Sequence, residues 1–350
     1  MRDIFGEIIA LDNLFAAWRE FRRGKRAKPD VREFERHLED HVFDLHDDLE
    51  SGAYRHGPYH RFHIFDPKHR VIHKASVRDR LVHHAVHRVL YPIFEKSFIF
   101  DSYSCRIGKG THAAVRRLEN FTRRVSRNYT GPCWALKFDV RKFFDSVDHG
   151  ILMQEMASSH AFRHASRNDK LMNLLEEVVS SFSKSKSVGG GSFLETNRKT
   201  GLPIGNLTSQ LFANVYLDAF DHFIKNQLRI RHYIRYTDDA VILSDDPAYL
   251  TLLVPIIEQW LWAERRLELH PRKIEIRKLS QGIDFLGYVT LPHHRVLRTK
   301  TKRRMLARVN SANLPSYLGL LRHCSGRRLG QIILFPRIQG GAFFVEPLLS

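Results

Sequence analysis

The sequence predicts an α+β fold in which short strands bearing acidic residues are set among longer helical segments. Three observations lead there. Apolar residues recur at helical spacing over long stretches, as in Leu81, Val82, Ala85, Val86, Val89 and Leu90. Shorter apolar runs at 135–139 and 233–243 read as strands, the second folded around a tight acidic turn into an antiparallel pair. The length of 350 residues, 43% of them hydrophobic, allows two or three domains around a real core.

Taken in order, residues 1–55 read as helices carrying the basic stretch REFRRGKRAK. The segment YRHGPYHRFHIFDPKHRVIHKAS alternates apolar residues between Gly and Pro, which is hairpin patterning. Residues 78–100 are helical. Thr111 opens another helix, whose Arg116, Arg117, Arg123, Arg124 and Arg127 form either a phosphate-facing surface or a solvated charged face. ALKFD is a strand ending in an acid, and Asp148 is an N-cap for helical residues 150–183. A polar, Gly-rich loop near 184–200 is long enough to be flexible or functional. Residues 206–229 are helical. Asp246 and Pro247 supply a cap and first residue for a helix to about 266, kinked at Pro255. Residues 282–290 read as a strand or hairpin, and the tail from His293 is basic.

Lys and Arg number 56 against 38 Asp and Glu, a formal charge of +18, which suits a polyanionic partner such as nucleic acid. Cys105, Cys133 and Cys324 lie too far apart for a disulfide framework or a zinc finger, and the 21 histidines contain no HExxH. With no apolar run of about 18 residues and no secretory pattern at the N-terminus, the expectation is a cytoplasmic protein without a membrane partner.

The chemistry centres on Tyr236-Thr237-Asp238-Asp239. Adjacent carboxylates at a turn repel each other, so folding does not favour them without a cation. Asp245-Asp246 has the simpler explanation of turn chemistry, because Pro247 follows. Asp139 ends a separate apolar strand. Two-metal phosphoryl transfer needs carboxylates from different strands converging on ions about 4 Å apart, and Mg²⁺ accepts such a set. Asp145 and Asp148 are not assigned to metal.

FDVRKFFDSVD, GLPIGNLTSQLFANVYLD, RYTDDAVIL and GIDFLGYV follow the order of reverse-transcriptase palm motifs A, B, C and E, and LELHPRKIEI resembles motif D. FDPKHRVIHKASVRDRLVHHAV and YSCRIGKGTHAA resemble the finger motifs. The resemblance runs from about residue 55 to 290 and implies a right-hand polymerase fold. N-terminal helices and fingers would occupy 1–134, a palm of antiparallel sheet backed by helices 135–291, and a thumb 292–350. It implies an RNA-directed DNA polymerase that takes template RNA, a cDNA or DNA primer, dNTPs and two Mg²⁺ ions, with Mn²⁺ as a substitute. Carried over by position, Asp139 and Asp238 ligate metal with help from Asp239 and the Val140 carbonyl. Lys68 and Arg70 bind triphosphate, Phe144 screens the sugar, and Lys273 protonates pyrophosphate. Phe285, Leu286 and Gly287 form a primer grip. Arg298, Lys300, Lys302, Arg303 and Arg304 bind nucleic acid.

Motif B narrows the resemblance. Where most group II intron and retroviral enzymes have Gln and Pro, this chain has Ile204 and Gln210, with Gly205 between them. That pattern, with SGAYRHGPY upstream, resembles the reverse transcriptases of diversity-generating retroelements, which are bacterial or phage-encoded. It implies adenine-mutagenic cDNA made from a template-repeat RNA, and a small basic oligomeric accessory protein. Gly205 lets backbone approach the nascent base pair, while Ile204 offers an apolar wall in place of a hydrogen bond. The alternatives are a group II-like, retron or antiphage-defence enzyme, or a non-catalytic RNA-binding palm. The intact acids weigh against the last, and Ile204 and Gln210 against the group II type.

Overall fold

The computed structural model describes residues 3–65, 69–159, 162, 169–185 and 198–334. It is a mixed α+β structure, as the patterning requires, and its chain divides into two compact units.

The first unit comprises Met1–Arg106, Val140–Arg229 and Ile256–His270. Its N-terminal helices are α1 (Ile4–Ile9), α2 (Leu11–Phe21), α3 (Pro29–Arg36) and α4 (Leu38–Ser51), followed by a hairpin of β1 (His60–Ile64) and β2 (Arg70–Lys74). α5 (Val77–Phe94) starts where the Ser76 hydroxyl accepts the Asp79 amide, and its periodic apolar residues Leu81, Val82, Ala85, Val86 and Leu90 are all buried. Each buried Leu or Val among them contributes about 1.5–3 kcal/mol. The short α7 (Phe143–Ser146) and α8 (His149–Ser158) belong to this unit. Asp148 caps α8 through the Ile151 amide, as its sequence position predicts. α9 (Asp169–Ser180) precedes the polar loop, of which residues 186–197 lie outside the described residues. The loop's two ends pair as β4 (Lys184–Ser185) and β5 (Lys199–Thr200). α10 (Leu207–His222) packs on α5 and finishes as a π-helical turn, Phe223–Gln227.

The second unit comprises Ile107–Asp139, Ile230–Pro255 and Pro271–Ser350. α6 (Thr111–Val125) covers an antiparallel sheet of order β6-β7-β3-β8, built from β3 (Trp134–Asp139), β6 (Tyr233–Tyr236), β7 (Asp239–Ser244) and β8 (Glu275–Lys278). A smaller sheet joins β9 (Ile283–Phe285), β10 (Tyr288–Leu291) and β11 (His294–Leu297). α11 (Pro247–Arg265), capped by Asp246 at the Ala248 amide, continues through Pro255, where the unit boundary falls. Short helices follow: the basic α12 (Thr299–Arg308), the apolar α13 (Leu314–Leu321), and α14 (Arg327–Leu334). Among the described residues no helix is long and apolar enough to cross a membrane.

Candidate active site

The β6–β7 hairpin turns on Thr237 and Asp238, with Tyr236 and Asp239 as its last facing pair. Thr237 adopts φ 56°, a left-handed conformation that β-branched residues rarely take. Such strain persists only where the surroundings over-determine it. Arg235, only 1% exposed, donates from Nη1 to the Thr237 carbonyl at 2.8 Å. A buried arginine therefore braces the turn that presents Asp238.

β3 pairs antiparallel with β7 in a register that sets Asp139 directly opposite Asp239. Like charges in that relation repel. Two lysines answer them. Lys273 Nζ lies 2.8 Å from Asp139 Oδ1, and Lys137 Nζ lies 3.6 Å from Asp239 Oδ1. Burial first, and then the Asp139 charge, push the Asp238 carboxyl up to about 6, with its backbone amide and Lys273 opposing. Burial also raises the Asp239 carboxyl, against Lys137. Val140, next in the chain and in the first unit, is buried and bridges Leu269.

Among the described residues, no three His, Cys, Asp or Glu side chains are already gathered around a point where a metal ion would sit. Asp139 is engaged by Lys273 and Asp239 by Lys137. The donor set nonetheless suits divalent cations. Its members are oxygen donors, two of them are raised by burial and mutual repulsion, and Asp239 Oδ1 is buried without a hydrogen-bond partner.

The remaining sequence-predicted residues fall in three groups. In the first unit, Arg70 is exposed at the start of β2, while Lys68 lies outside the described residues. Phe143 is core and Phe144 half-buried, with its carbonyl accepting the Leu202 amide at 2.6 Å. Ile204 is half-buried and Gln210 is exposed. Gly205 has φ 129°, and a Cβ there would meet Ile72 at 3.4 Å and the His73 carbonyl at 3.5 Å. Those are ordinary contacts, so it is the positive φ that favours glycine here.

In the second unit, Leu286 and Gly287 form the two-residue β9–β10 turn, both with positive φ (51° and 90°). The Phe285 side chain is 0% exposed, because strand alternation points it into the core, while Leu286 is half-buried at the turn. The Arg298 guanidinium is paired with Asp284, with Nε 2.7 Å from Oδ1, and its amide donates to the Gly287 carbonyl. That ties α12 to the turn and leaves the basic surface of the helix to Lys300, Lys302, Arg303 and Arg304. Of these, Lys300 and Arg303 are exposed.

Sequence reasoning missed Lys137 and Arg235. Lys137 stands two residues before Asp139 on the same face of β3, a spacing that signals a shared environment. No local pattern marks Arg235 as buried.

A model of the family "Reverse transcriptase (RNA-dependent DNA polymerase)" matches residues 65–290. Protein YkfC of Escherichia coli (strain K12) is 25% identical over 292 residues, covering 74% of this chain and 71% of that protein. The group II intron-encoded protein LtrA of Lactococcus lactis subsp. cremoris is 25% identical over 180 residues, or 50% of this chain and 27% of that protein. Apo telomerase from Candida tropicalis, truncated from its C-terminal domain, superposes with a TM-score of 0.50 at 13% identity over 72% of this chain and 59% of its own. That likeness concerns the fold alone, which is polymerase-like. The chain thus spans only part of LtrA and of the telomerase. With the matched region covering more than half of its length and containing all three aspartates, this chain belongs to the reverse transcriptase (RNA-dependent DNA polymerase) family.

Proposed function

We propose that the chain copies a template-repeat RNA into adenine-mutagenic cDNA for diversity-generating retrohoming, by two-metal nucleotidyl transfer. The observation that carries the polymerase reading is Asp139 paired opposite Asp239, beside the braced turn that bears Asp238. Asp139 and Asp238 would hold two Mg²⁺ ions, with Asp239 and the Val140 carbonyl assisting and Mn²⁺ as a substitute. When bound, the ions supply a lowered proton affinity at the primer 3′-hydroxyl and charge neutralisation at the leaving pyrophosphate. Lys273 neutralises Asp139 when substrate is absent and gives a proton to pyrophosphate as the bond to the α-phosphorus breaks. Arg70 holds triphosphate by its planar fork and Lys68 by point charge. The Phe144 ring excludes a 2′-hydroxyl, the group that separates ribose from deoxyribose. Leu286 and Gly287 hold the primer end. Lys300, Lys302, Arg303 and Arg304 track the phosphates.

The finer reading rests on Ile204 and Gln210. A side chain without a hydrogen-bonding group beside the nascent pair removes one means of rejecting a mispair. The template RNA, the primer and a small basic accessory protein are the partners this reading requires. The likeness to LtrA favours a second reading, a group II-like enzyme that copies accurately.

Primer extension on an RNA template tests the polymerase reading. Asp238→Ala should abolish extension and leave RNA binding unchanged in a filter assay. Retained extension defeats it. Sequencing the wild-type cDNA separates the two finer readings: substitutions concentrated at adenines support the mutagenic one, and uniform accuracy supports the other.

A further inference from the structure

Asn206 is the N-cap of α10, and asparagine there ordinarily binds the helix's own first amides. Here it makes no such bond. Its Nδ2 points away instead, 2.9 Å from His83 Nε2 and 3.0 Å from the Tyr59 hydroxyl. With the amide in this orientation its nitrogen donates to His83 Nε2, which also lies 3.2 Å from His56 Nε2, and the imidazole proton is then on Nδ1. Nδ1 lies 2.7 Å from the Thr208 hydroxyl, which it therefore supplies with a hydrogen bond. His83 is 2% exposed, on α5, so both bonds form away from water. Tyr59 continues the network to Ser181 Oγ at 3.0 Å.

The Ile204–Gly205 turn directly precedes Asn206. Its backbone is also fastened by the His73 amide, which donates to the Ile204 carbonyl at 3.4 Å. One imidazole thus grips the residues one and three positions beyond Gly205, at the expense of the usual cap. Burying a histidine and forgoing a cap are both unfavourable, and neither is needed merely to start a helix.

We propose that His83 is a positioning residue that, through Asn206 and Thr208, fixes the Ile204–Gly205 turn and thereby sets nucleotide selectivity. The selectivity half rests on the polymerase reading above, whereas the positioning half does not.

His83→Leu keeps the volume and deletes both bonds. His83→Gln retains an amide that can accept from Asn206. Leu45→Ala, a core cavity in α4, is the control for general destabilisation. Hydrogen exchange on the full chain without substrate should show amides 204–210 exchanging about tenfold faster in His83→Leu, with protection restored in His83→Gln and unaffected in Leu45→Ala. In primer extension, His83→Leu should raise KM for dNTP about tenfold with kcat nearly unchanged, and should alter the ratio of correct to incorrect insertion. Wild-type protection at 204–210 in His83→Leu, or equal loosening in Leu45→Ala, overturns the positioning. Altered protection with unchanged KM and insertion ratio overturns the selectivity. If His83→Leu does not fold, Thr208→Val removes one bond and carries the same readouts. A wild-type chain that extends no primer defeats the polymerase reading and with it the selectivity, while the exchange result still decides the positioning.

Discussion

Ile204 is half-buried and its carbonyl is fastened to β2, so a change of side chain there acts on what the turn faces without unpicking the fold. Ile204→Gln restores a donor and acceptor beside the position assigned to the nascent pair. The expected outcome is a several-fold fall in substitutions at template adenines, with extension rate little changed. Sequencing cDNA from both proteins on one template measures it, and equal adenine error rates would sink the idea. At this scale the sequence was informative wherever a residue's role follows from its neighbours in the chain. Asp238 and Asp239 stand out because paired acids at a turn are locally odd. Asp148 and Asp246 announced themselves as caps. Lys137 and His83 did not, since each is defined by a partner on another element, Asp239 and Asn206, and nothing in the sequence around Arg235 shows that it is buried beneath its own turn. The burial of Phe285 and the Asp284 partner of Arg298 were hidden for the same reason. A sequence motif cannot say which side of a strand is core, or that Asp284 already claims a guanidinium.

Elements were legible where periodicity was long. α5 shows it, because its apolar spacing gave its start and its buried face, although the helix ends at Phe94 rather than near residue 100. What spacing hides is that this helix also buries imidazoles. Burial lowers His83 to about 3, and His84 and His87 to about 4. These rings stay neutral in the fold, while the unfolded chain protonates them near their ordinary value of about 6.5. Between those values the unfolded state binds more protons. Stability from this source is therefore full above about pH 6.5 and is lost as pH falls toward 4. For His83, the most buried, the loss between pH 7 and pH 5 is about 2 kcal/mol, with smaller amounts from the other two. Asp238 works the other way, since its raised carboxyl takes up a proton in the fold below about 6 and gains stability on acidification. A single variant separates the two effects. Urea midpoints at pH 7 and pH 5 should drop less for His83→Leu than for wild type, and identical drops would mean that His83 is not held neutral.

Over the whole molecule, the charge of +18 predicted a polyanionic partner but could not place it. The architecture gathers part of it on α12, where Met305 is the buried anchor and Lys300 and Arg303 face solvent. The helix begins one hydrogen bond from the β9–β10 turn, through the Arg298 amide and the Gly287 carbonyl. A phosphate backbone entering along α12 would therefore be led to Leu286 and Gly287. Each phosphate neutralised releases condensed counterions, so the logarithm of affinity falls with the logarithm of salt by about 0.7 per contact on a single strand and about 0.9 on a duplex. Replacing Lys300, Lys302, Arg303 and Arg304 together with glutamine should shallow that slope by about 3 if all four make contact. Lys302 and Arg304 are half-buried, so a change of about 1.5 is the floor set by the two exposed residues. Titrations of RNA binding at several salt concentrations, on wild type and the fourfold variant, give the number directly. A shallower slope with unchanged thermal stability assigns the surface to nucleic acid. An unchanged slope moves the phosphate track elsewhere, with Arg116, Arg123 and Arg124 of α6 the next residues to neutralise, since all three are exposed on one helix.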